Sequence, residues 1–275
     1  MLTSRTASPA ACPEQPYFVV SAGSPYYQRE IRQSGISHFY RFRVTAPPGP
    51  ALAIPDGCVD ILFDCDSSDP RARVCGTLMH ARAVELRCGH HYFGVRFLPG
   101  MMPDFLDLQA EQLPGHEFNF LDAVPDGRTA FEQIVSADTF SRQIALFNHH
   151  FASRSLRAPC EVIRYAIERI RQQHGNIRID ALETRTGYSS RTLQRLFRAD
   201  TGMSPKGFCR VVRFQSAIHA LSHSPAPHLS RIALDLGFSD QSHFLREFRA
   251  LNNTTPGEYW HYMAAMAYAS RIQHG

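Results

Sequence analysis

A segment in the last third of this 275-residue chain repeats itself, and the repeat constrains the fold more than any other sequence feature. The stretch GYSSRTLQRLFRADTGMSPKGF, which starts at Gly187, resembles GFSDQSHFLREFRALNNTTPGEY, which starts at Gly237. Both copies begin with glycine, an aromatic residue and serine, both contain the triplet F-R-A, and both have a proline near the end. An internal repeat of this kind indicates a duplicated structural unit.

Each copy has the pattern of two helices joined by a tight turn. Gly187 and Gly237 can adopt the left-handed conformation in which a first helix ends. The residues that follow can cap a second helix, and the candidates are Ser189 or Ser190 in the first copy and Ser239 or Asp240 in the second. The apolar positions of the second helix are predicted to be buried, and they are Leu193, Leu196 and Phe197, then Phe244 and Phe248.

The opposite face of each second helix is polar and rich in arginine. Its residues are Arg191, Gln194, Arg195 and Arg198 in the first copy, and Gln241, Ser242, Arg246 and Arg249 in the second. A short helix with such a face can lie in the major groove of DNA, where Arg pairs with guanine and Gln with adenine, each worth roughly 1–3 kcal/mol of discrimination. The alternative is a face that is only solvated, but two copies with the same turn, cap and apolar stripe favour the helix-turn-helix interpretation.

The distribution of charge also favours contact between one part of the chain and a polyanion. Residues 152–275 contain 17 Lys and Arg against 9 Asp and Glu, a surplus of eight positive charges. Residues 1–151 contain 12 against 16, a surplus of four negative charges, so the whole chain carries +4. We therefore expect the C-terminal part to bind nucleic acid and the N-terminal part to have another role.

The first half of the chain has short β-branched and aromatic runs, separated by Pro, Gly and Asp clusters. These runs predict strands, and they are Phe18–Val20, Phe39–Val44, Val59–Phe63 and Tyr92–Phe97. A barrel-like or sandwich-like domain is expected, followed by helices that include a long one near Arg128 to Phe151. The predicted fold class is thus α+β with several domains. Its parts are a disordered lead-in (1–16), a β-rich regulatory domain (17–151), a linker (152–159), an all-α DNA-binding domain (160–262) and a C-terminal tail (263–275).

Three other functions are conceivable for the N-terminal half, and each has a simpler structural alternative. Metal sensing would use Cys75, His80, Cys88, His90 and His91, but paired His on a strand point to opposite faces. Redox sensing would use Cys58, Cys65, Cys75 or Cys88, but buried structural thiols are commoner. Acid–base catalysis would use Asp56, Asp60 and Asp64, which are better explained as turn caps. No hydrolase or phosphate-binding motif is present, so no catalytic residue, metal or cofactor is expected.

The C-terminal part resembles the AraC/XylS family of bacterial transcription regulators over residues 160–262, through the run LQRLF from Leu193 and the stretch IALDLGFSDQSHFLREFRA from Ile232. The resemblance implies two helix-turn-helix units joined by a long helix, here Pro205 to Leu221, that enter successive major grooves of double-stranded DNA. By position, the base-reading residues would be Arg191, Gln194, Arg195, Gln241, Ser242 and Arg246, and the phosphate contacts Ser190, Arg198 and Arg249. RNA polymerase is a further expected partner. Activation is the expected effect, with repression left open as the alternative.

Some positions depart from the family pattern. Glu183 stands where a small residue is usual, its counterpart being Ala233, and Asn252-Asn253 replaces a usual glycine. Leu245 matches Gln194, so we expect the first copy to supply most of the sequence specificity and the second to add affinity and register.

The N-terminal half resembles a β-rich domain found at the front of some family members, through IPDGCVDILFD from Ile54, VCGTLMH from Val74 and FGVRFLPGMMPDFL from Phe93. This resemblance implies a signal-sensing role and a homodimer. A small-molecule effector is expected in a pocket of the β-rich domain lined by Phe and Tyr, with its binding residues left open. The helix near Arg128 to Phe151 could form the dimer contact or pack on the β-rich domain. We expect a cytoplasmic protein without membrane attachment. The lead-in has no secretory pattern, the number of cysteines is odd, and the chain has no long apolar run.

Overall fold

A seven-stranded sheet forms the centre of the N-terminal half. The computed structural model describes residues 13–22, 25–31, 35–45, 51–151, 156–157 and 159–274. Its strands are β1 (Tyr26–Glu30), β2 (Ile36–Arg43), β3 (Leu52–Ala53), β4 (Asp60–Asp64), β5 (Arg71–Cys75), β6 (Arg82–Ala83), β7 (His91–Phe97), β8 (Met102–Pro103), β9 (Glu117–Asn119), β10 (Leu156–Arg157) and β11 (Ile272–His274). The sheet order is β11-β1-β2-β7-β4-β5-β9, and neighbours are antiparallel except for the parallel pair β1 and β11.

Helices occupy the ends of the β-rich half and nearly all of the C-terminal half. They are α1 (Pro16–Ser21), α2 (Phe120–Ala123), α3 (Arg128–Val135), α4 (Phe140–Phe151), α5 (Glu161–Gln172), α6 (Ile179–Thr186), α7 (Ser190–Thr201), α8 (Pro205–Ser222), α9 (Leu229–Asp235), α10 (Gln241–Asn252), α11 (Pro256–Ala265) and α12 (Tyr268–Arg271). The expected combination of a β-rich N-terminal domain and a helical C-terminal domain is confirmed. Within the residues described above, every helix is too short or too polar to cross a lipid bilayer.

The two faces of the sheet are covered by different helices, because alternate side chains along a strand point to opposite sides. Phe39, Phe63 and Phe93 pack on one side against the apolar faces of α3 and α4. The Phe39 and Phe147 rings meet edge to face, with centroids 5.5 Å apart. The expected long helix near Arg128 to Phe151 is two helices, and its apolar stripe packs on the sheet.

The predicted strand at Phe18–Val20 is wrong, because these residues lie in α1. The run Tyr17 to Val20 is buried at every position, and a short run that is apolar throughout does not distinguish a strand from a helix. Pro16 at the first helical positions supplies the fixed backbone angle that favours a helix start. Of the expected lead-in, residues 1–12 lie outside the described part, and Gln15 is buried, where its side chain hydrogen-bonds to Ile54.

The expected C-terminal tail is also wrong, because the chain returns to the N-terminal sheet. Strand β11 pairs with β1 through Ile272 and Tyr26. The Arg271 guanidinium donates to the backbone carbonyl of Ala22 at 2.9 Å, and so satisfies a carbonyl just after the end of α1. Of the expected linker, Leu156–Arg157 pairs with β8, and residues 152–155 and 158 lie outside the described part.

The second sheet face shares a hydrophobic core with the C-terminal half. Tyr40, Phe42 and Tyr92 belong to the same buried cluster as Phe214 of α8 and Phe248 of α10. The two parts of the chain are therefore packed together, although the sequence predicts two domains with separate cores.

Candidate nucleic-acid interface

The first helix-turn-helix unit consists of α6 and α7. Gly187 ends α6 with φ of 73°, in the left-handed region that glycine enters at little cost. Ser189 then caps α7, because its Oγ accepts a hydrogen bond from the backbone N–H of Thr192 at 3.3 Å. Both roles agree with the sequence prediction, and Ser189 rather than Ser190 is the cap.

The second unit consists of α9 and α10 and repeats this arrangement. Gly237 has φ of 74°, and Asp240 caps α10 by accepting a hydrogen bond from the His243 N–H at 2.7 Å. That hydrogen bond holds the pKa of the Asp240 carboxyl below its usual value. Asn253 ends α10 with φ of 64°, so asparagine takes the left-handed position that glycine fills in the first unit at Gly202.

The apolar stripes that anchor the two second helices are buried as predicted. Leu193 and Phe197 of α7 and Phe244 and Phe248 of α10 are each no more than 2% exposed, and Leu196 is half-buried. The Phe197 ring lies 5.3 Å from Phe208 at the start of α8, in an edge-to-face contact. Burial of such side chains contributes roughly 1.5–3 kcal/mol each, so these contacts fix the helix orientation about its axis.

Because the inner face of each helix is fixed, the polar residues point outward. The exposed side chains are Arg191, Gln194, Arg195 and Arg198 on α7, and Gln241, Ser242, Arg246 and Arg249 on α10, whereas Ser190 is half-buried. The structure therefore brings the predicted base-reading and phosphate-contacting residues onto the outward side of two equivalent helices. Their roles toward DNA remain predictions.

The outward arginines differ from several arginines of the β-rich half that form ion pairs. In the described ranges, no carboxylate lies within ion-pair distance of Arg191, Arg195, Arg198, Arg246 or Arg249. By contrast, Arg73 and Arg82 both pair with Glu117, and Arg87 pairs with Asp69. Cations without a carboxylate partner on one side of a domain are the groups that replace counterions on a phosphate backbone.

Helix α8 joins the two units, close to the predicted bounds of the long helix. Its Arg210 pairs with Glu247 of α10, with Nε and Oε2 2.6 Å apart. A cleft of about 950 Å³ lies between the units, and its lining includes Ser190, His243, Lys206 and Arg213.

Glu183 also lines this cleft and is half-buried, whereas its counterpart Ala233 is fully buried, so the larger residue is accommodated at the edge of the first unit. Leu245 is half-buried and presents no polar group.

The competing sites of the N-terminal half do not assemble as their hypotheses require. Within the described ranges, Glu14, His219 and His223 form a group of three metal-ligating side chains, and the set Cys75, His80, Cys88, His90 and His91 does not. Burial raises the pKa of the thiols of Cys58, Cys65 and Cys75, which makes them poor nucleophiles. Cys88 is exposed.

The three aspartates have two different roles. Asp56 and Asp64 accept hydrogen bonds from backbone N–H groups two residues later, as the turn-cap interpretation predicts. Asp60 instead forms a buried ion pair, because β4 and β7 pair in a register that places it opposite Arg96. This pair was not predictable from local sequence, since the two residues are 36 positions apart.

A cavity of about 50 Å³ lies beside this ion pair, and its lining includes Tyr40, Phe18 and Gln15. Its aromatic residues agree with the expected pocket, but sites for small molecules usually have about 300–1,000 Å³. A cavity of this size has room for one or two waters.

Comparison with known proteins gives matches to both halves. Residues 182–261 match a family model described as a helix-turn-helix domain, and residues 33–119 match a domain of unknown function (DUF6597). The HTH-type transcriptional activator RhaS of Escherichia coli is 38% identical over 77 residues, which cover 28% of this chain and 27% of RhaS. An uncharacterized HTH-type transcriptional regulator of Haemophilus influenzae is 25% identical over 190 residues, or 64% of this chain and 62% of that protein.

Among solved structures, a probable AraC family transcriptional regulator from Rhodopseudomonas palustris is 31% identical. The match covers 37% of this chain and 96% of that one, with a TM-score of 0.32. The similarity to RhaS spans about a quarter of that protein. By these units, their joining helix and the sequence matches, the helix-turn-helix domain of this chain belongs to the AraC/XylS family.

Proposed function

We propose that this protein is a DNA-binding transcription regulator that reads two successive major-groove segments with α7 and α10. One observation carries the proposal: two equivalent helices, each capped and anchored by buried aromatics, present arginines that have no carboxylate within ion-pair distance among the described residues. In this proposal Arg191, Gln194, Arg195, Gln241, Ser242 and Arg246 read bases. Ser190, Arg198 and Arg249 contact phosphates, and the chain carries out no chemistry of its own.

The two units are not expected to contribute equally. The first presents two arginines and a glutamine at base-reading positions, whereas the second has Leu245 in place of Gln194. We therefore assign most of the sequence specificity to α7, and affinity and register to α10.

The experiment is a salt-titrated binding assay on the full chain. The protein is first used to select DNA from a random-sequence pool, and its affinity is then measured for the selected site and for a scrambled one. Arg195→Ala and Arg246→Ala should each weaken binding to the selected site by roughly 1–3 kcal/mol, with a much smaller effect on scrambled DNA. Arg164→Ala is the matched control, since Arg164 is an exposed arginine of α5 outside both units.

Two results would count against the proposal. If both variants lost affinity equally on every sequence, Arg195 and Arg246 would be phosphate contacts instead of base readers. If the wild type showed neither sequence preference nor a fall in affinity with rising salt, the protein would not be a DNA-binding regulator, because phosphate contacts always release counterions.

We infer that the N-terminal domain modulates the second unit through their contact. The backbone N–H of Ala81 donates to the Leu251 carbonyl at 2.7 Å, and the Asn253 amide donates to the Ala81 carbonyl at 3.0 Å. These bonds hold the end of α10 against the loop before β6. The cavity beside Arg96 is too small for most ligands, so we do not place an effector there. An effector would instead act by changing the contact between Ala81 and the end of α10. Native mass spectrometry of the purified protein tests for a bound small molecule.

RhaS is named an activator, and on that likeness we extend the proposal to activation together with RNA polymerase. In vitro transcription from a promoter that carries the selected site tests this.

The expected homodimer would need a surface other than the apolar stripe of α3 and α4, which packs on the sheet. Sedimentation of the full chain measures the oligomeric state. A cytoplasmic location follows from DNA as the partner.

A further inference from the structure

A cluster of three metal-ligating side chains joins the N-terminal segment to helix α8. Glu14 lies just before α1, His219 lies in the last turn of α8, and His223 is the residue at which α8 ends. One ligand atom from each lies within 4.8 Å of the other two. His219 Nδ1 is 2.6 Å from Glu14 Oε1, and His223 Nδ1 is 3.7 Å from the same oxygen.

Glu14 is held in place by bonds that leave its carboxylate directed at the two imidazoles. Its backbone N–H donates to Gln215 Oε1 at 2.8 Å, and the Gln215 amide donates to the Glu14 carbonyl at 3.2 Å. The Tyr268 hydroxyl donates to Glu14 Oε2 at 2.8 Å. The carboxylate side chain is only 12% exposed, so it is positioned by the protein before any ligand arrives.

The arrangement has the composition of a zinc site with an open position. Two His at i and i+4 on one helix face are an established zinc-binding spacing, and a carboxylate is a common third ligand. Bonds of 2.0–2.2 Å in a tetrahedral site put ligand atoms about 3.4 Å apart, and the two Nδ1 atoms lie 2.6 and 3.7 Å from Glu14 Oε1. The Tyr268 bond matches the second layer of hydrogen bonds that orients a ligating carboxylate.

Both imidazoles are about half-exposed, which gives a metal and a water molecule access from solvent.

We propose that Glu14, His219 and His223 bind one divalent first-row transition metal ion, with Zn²⁺ the best match to two imidazoles and a carboxylate. The ion ties the N-terminal segment to the helix that joins the two helix-turn-helix units, and through Tyr268 it is linked to α12. This site was not predicted from the sequence, although the HxxxH spacing at His219 was a visible signal.

The test uses the full chain, treated with chelator and then titrated with Zn²⁺ by calorimetry, and with Co²⁺, whose visible absorption reports the coordination geometry. The wild type should bind one ion per chain and gain thermal stability. His223→Ala and Glu14→Gln should weaken binding by at least tenfold, and Tyr268→Phe by about tenfold. His80→Ala is the control and should bind as the wild type does, because His80 lies on an exposed loop outside the cluster.

Circular dichroism and metal-free thermal denaturation check that each variant is folded, and His223→Gln replaces His223→Ala if the latter is not. The proposal is overturned if the wild type binds no ion, if the folded cluster variants bind as tightly as the wild type, or if His80→Ala weakens binding as much as His223→Ala does.

Discussion

The buried ion pair between Arg96 and Asp60 allows a sharp test of the fold that positions the two units. Arg96 is 3% exposed, and its Nη2 and Nε lie 2.9 and 3.0 Å from the two carboxylate oxygens of Asp60. Asp56 lies 3.5 Å away on the same guanidinium, and the Tyr40 hydroxyl donates to Asp60. One arginine therefore compensates two buried carboxylates.

Arg96→Met keeps most of the side-chain volume and removes the charge. Removing one partner of a buried pair usually costs about 3–5 kcal/mol, because the other charge stays buried without compensation. For a protein of this size the loss corresponds to a fall in Tm of roughly 10 °C. Burial already raises the pKa of Asp60 to about 6, although Arg96 opposes the shift.

The sign of the pH dependence follows from that shift. A carboxyl with a raised pKa in the folded state takes up a proton more readily there than in the unfolded chain. Its contribution to stability is therefore present below about pH 4 and is lost as the pH rises to about 6. The deficit of Arg96→Met should likewise shrink between pH 7 and pH 5, as Asp60 becomes neutral.

Urea denaturation at pH 7 and pH 5 measures both effects. Arg96→Met combined with Asp60→Asn should recover part of the lost free energy, since the double change removes one of the two buried carboxylates and leaves Asp56. A loss below 1 kcal/mol for the single variant at pH 7, or no recovery in the double variant, would refute the buried pair as described.

Three further predictions concern the helical domain. Asp240→Ala should lower the free energy of unfolding by about 1 kcal/mol through loss of the α10 cap, and an unchanged urea midpoint would contradict the capping role. Asn253→Ala should be about 1 kcal/mol less stable than Asn253→Gly, since alanine is strained at positive φ; equal stabilities would show that the backbone angle is not a constraint. Phe248→Ala should cost about 3–5 kcal/mol, because Phe248 lies in the core shared with the sheet, and a loss below 1 kcal/mol would argue against that core.

Local sequence was sufficient for the parts of the fold that depend on neighbouring residues. Local patterns identified the turn at Gly187, the helix caps and the buried positions Leu193 and Phe197. A turn, a cap and a helical period each depend on residues within about ten positions of one another. The same information was insufficient at Phe18–Val20, where an apolar run fits either a strand or a helix. Pro16 was the available signal for a helix start.

Features that depend on distant pairings were not predictable in this way. Asp60 faces Arg96 only through the register of β4 with β7, and Tyr268 meets Glu14 across most of the chain. The packing of α10 on the sheet likewise joins residues from both ends of the sequence. Such contacts arise from tertiary packing. The sequence therefore could predict an N-terminal sensor domain, but not the contact between Ala81 and the end of α10 through which we propose that this domain acts.

The central claim is that α7 and α10 read two segments of DNA, and methylation interference at guanine N7 tests it most directly. Methylation blocks the acceptor that an arginine uses in the major groove. On the selected site, the account predicts two clusters of interference about 10–10.5 bp apart on one face of the duplex, with the one read by α7 stronger. Arg195→Ala should weaken interference in that cluster alone, since Arg191 of the same helix remains. A single cluster, or interference spread evenly along the site, would contradict the account.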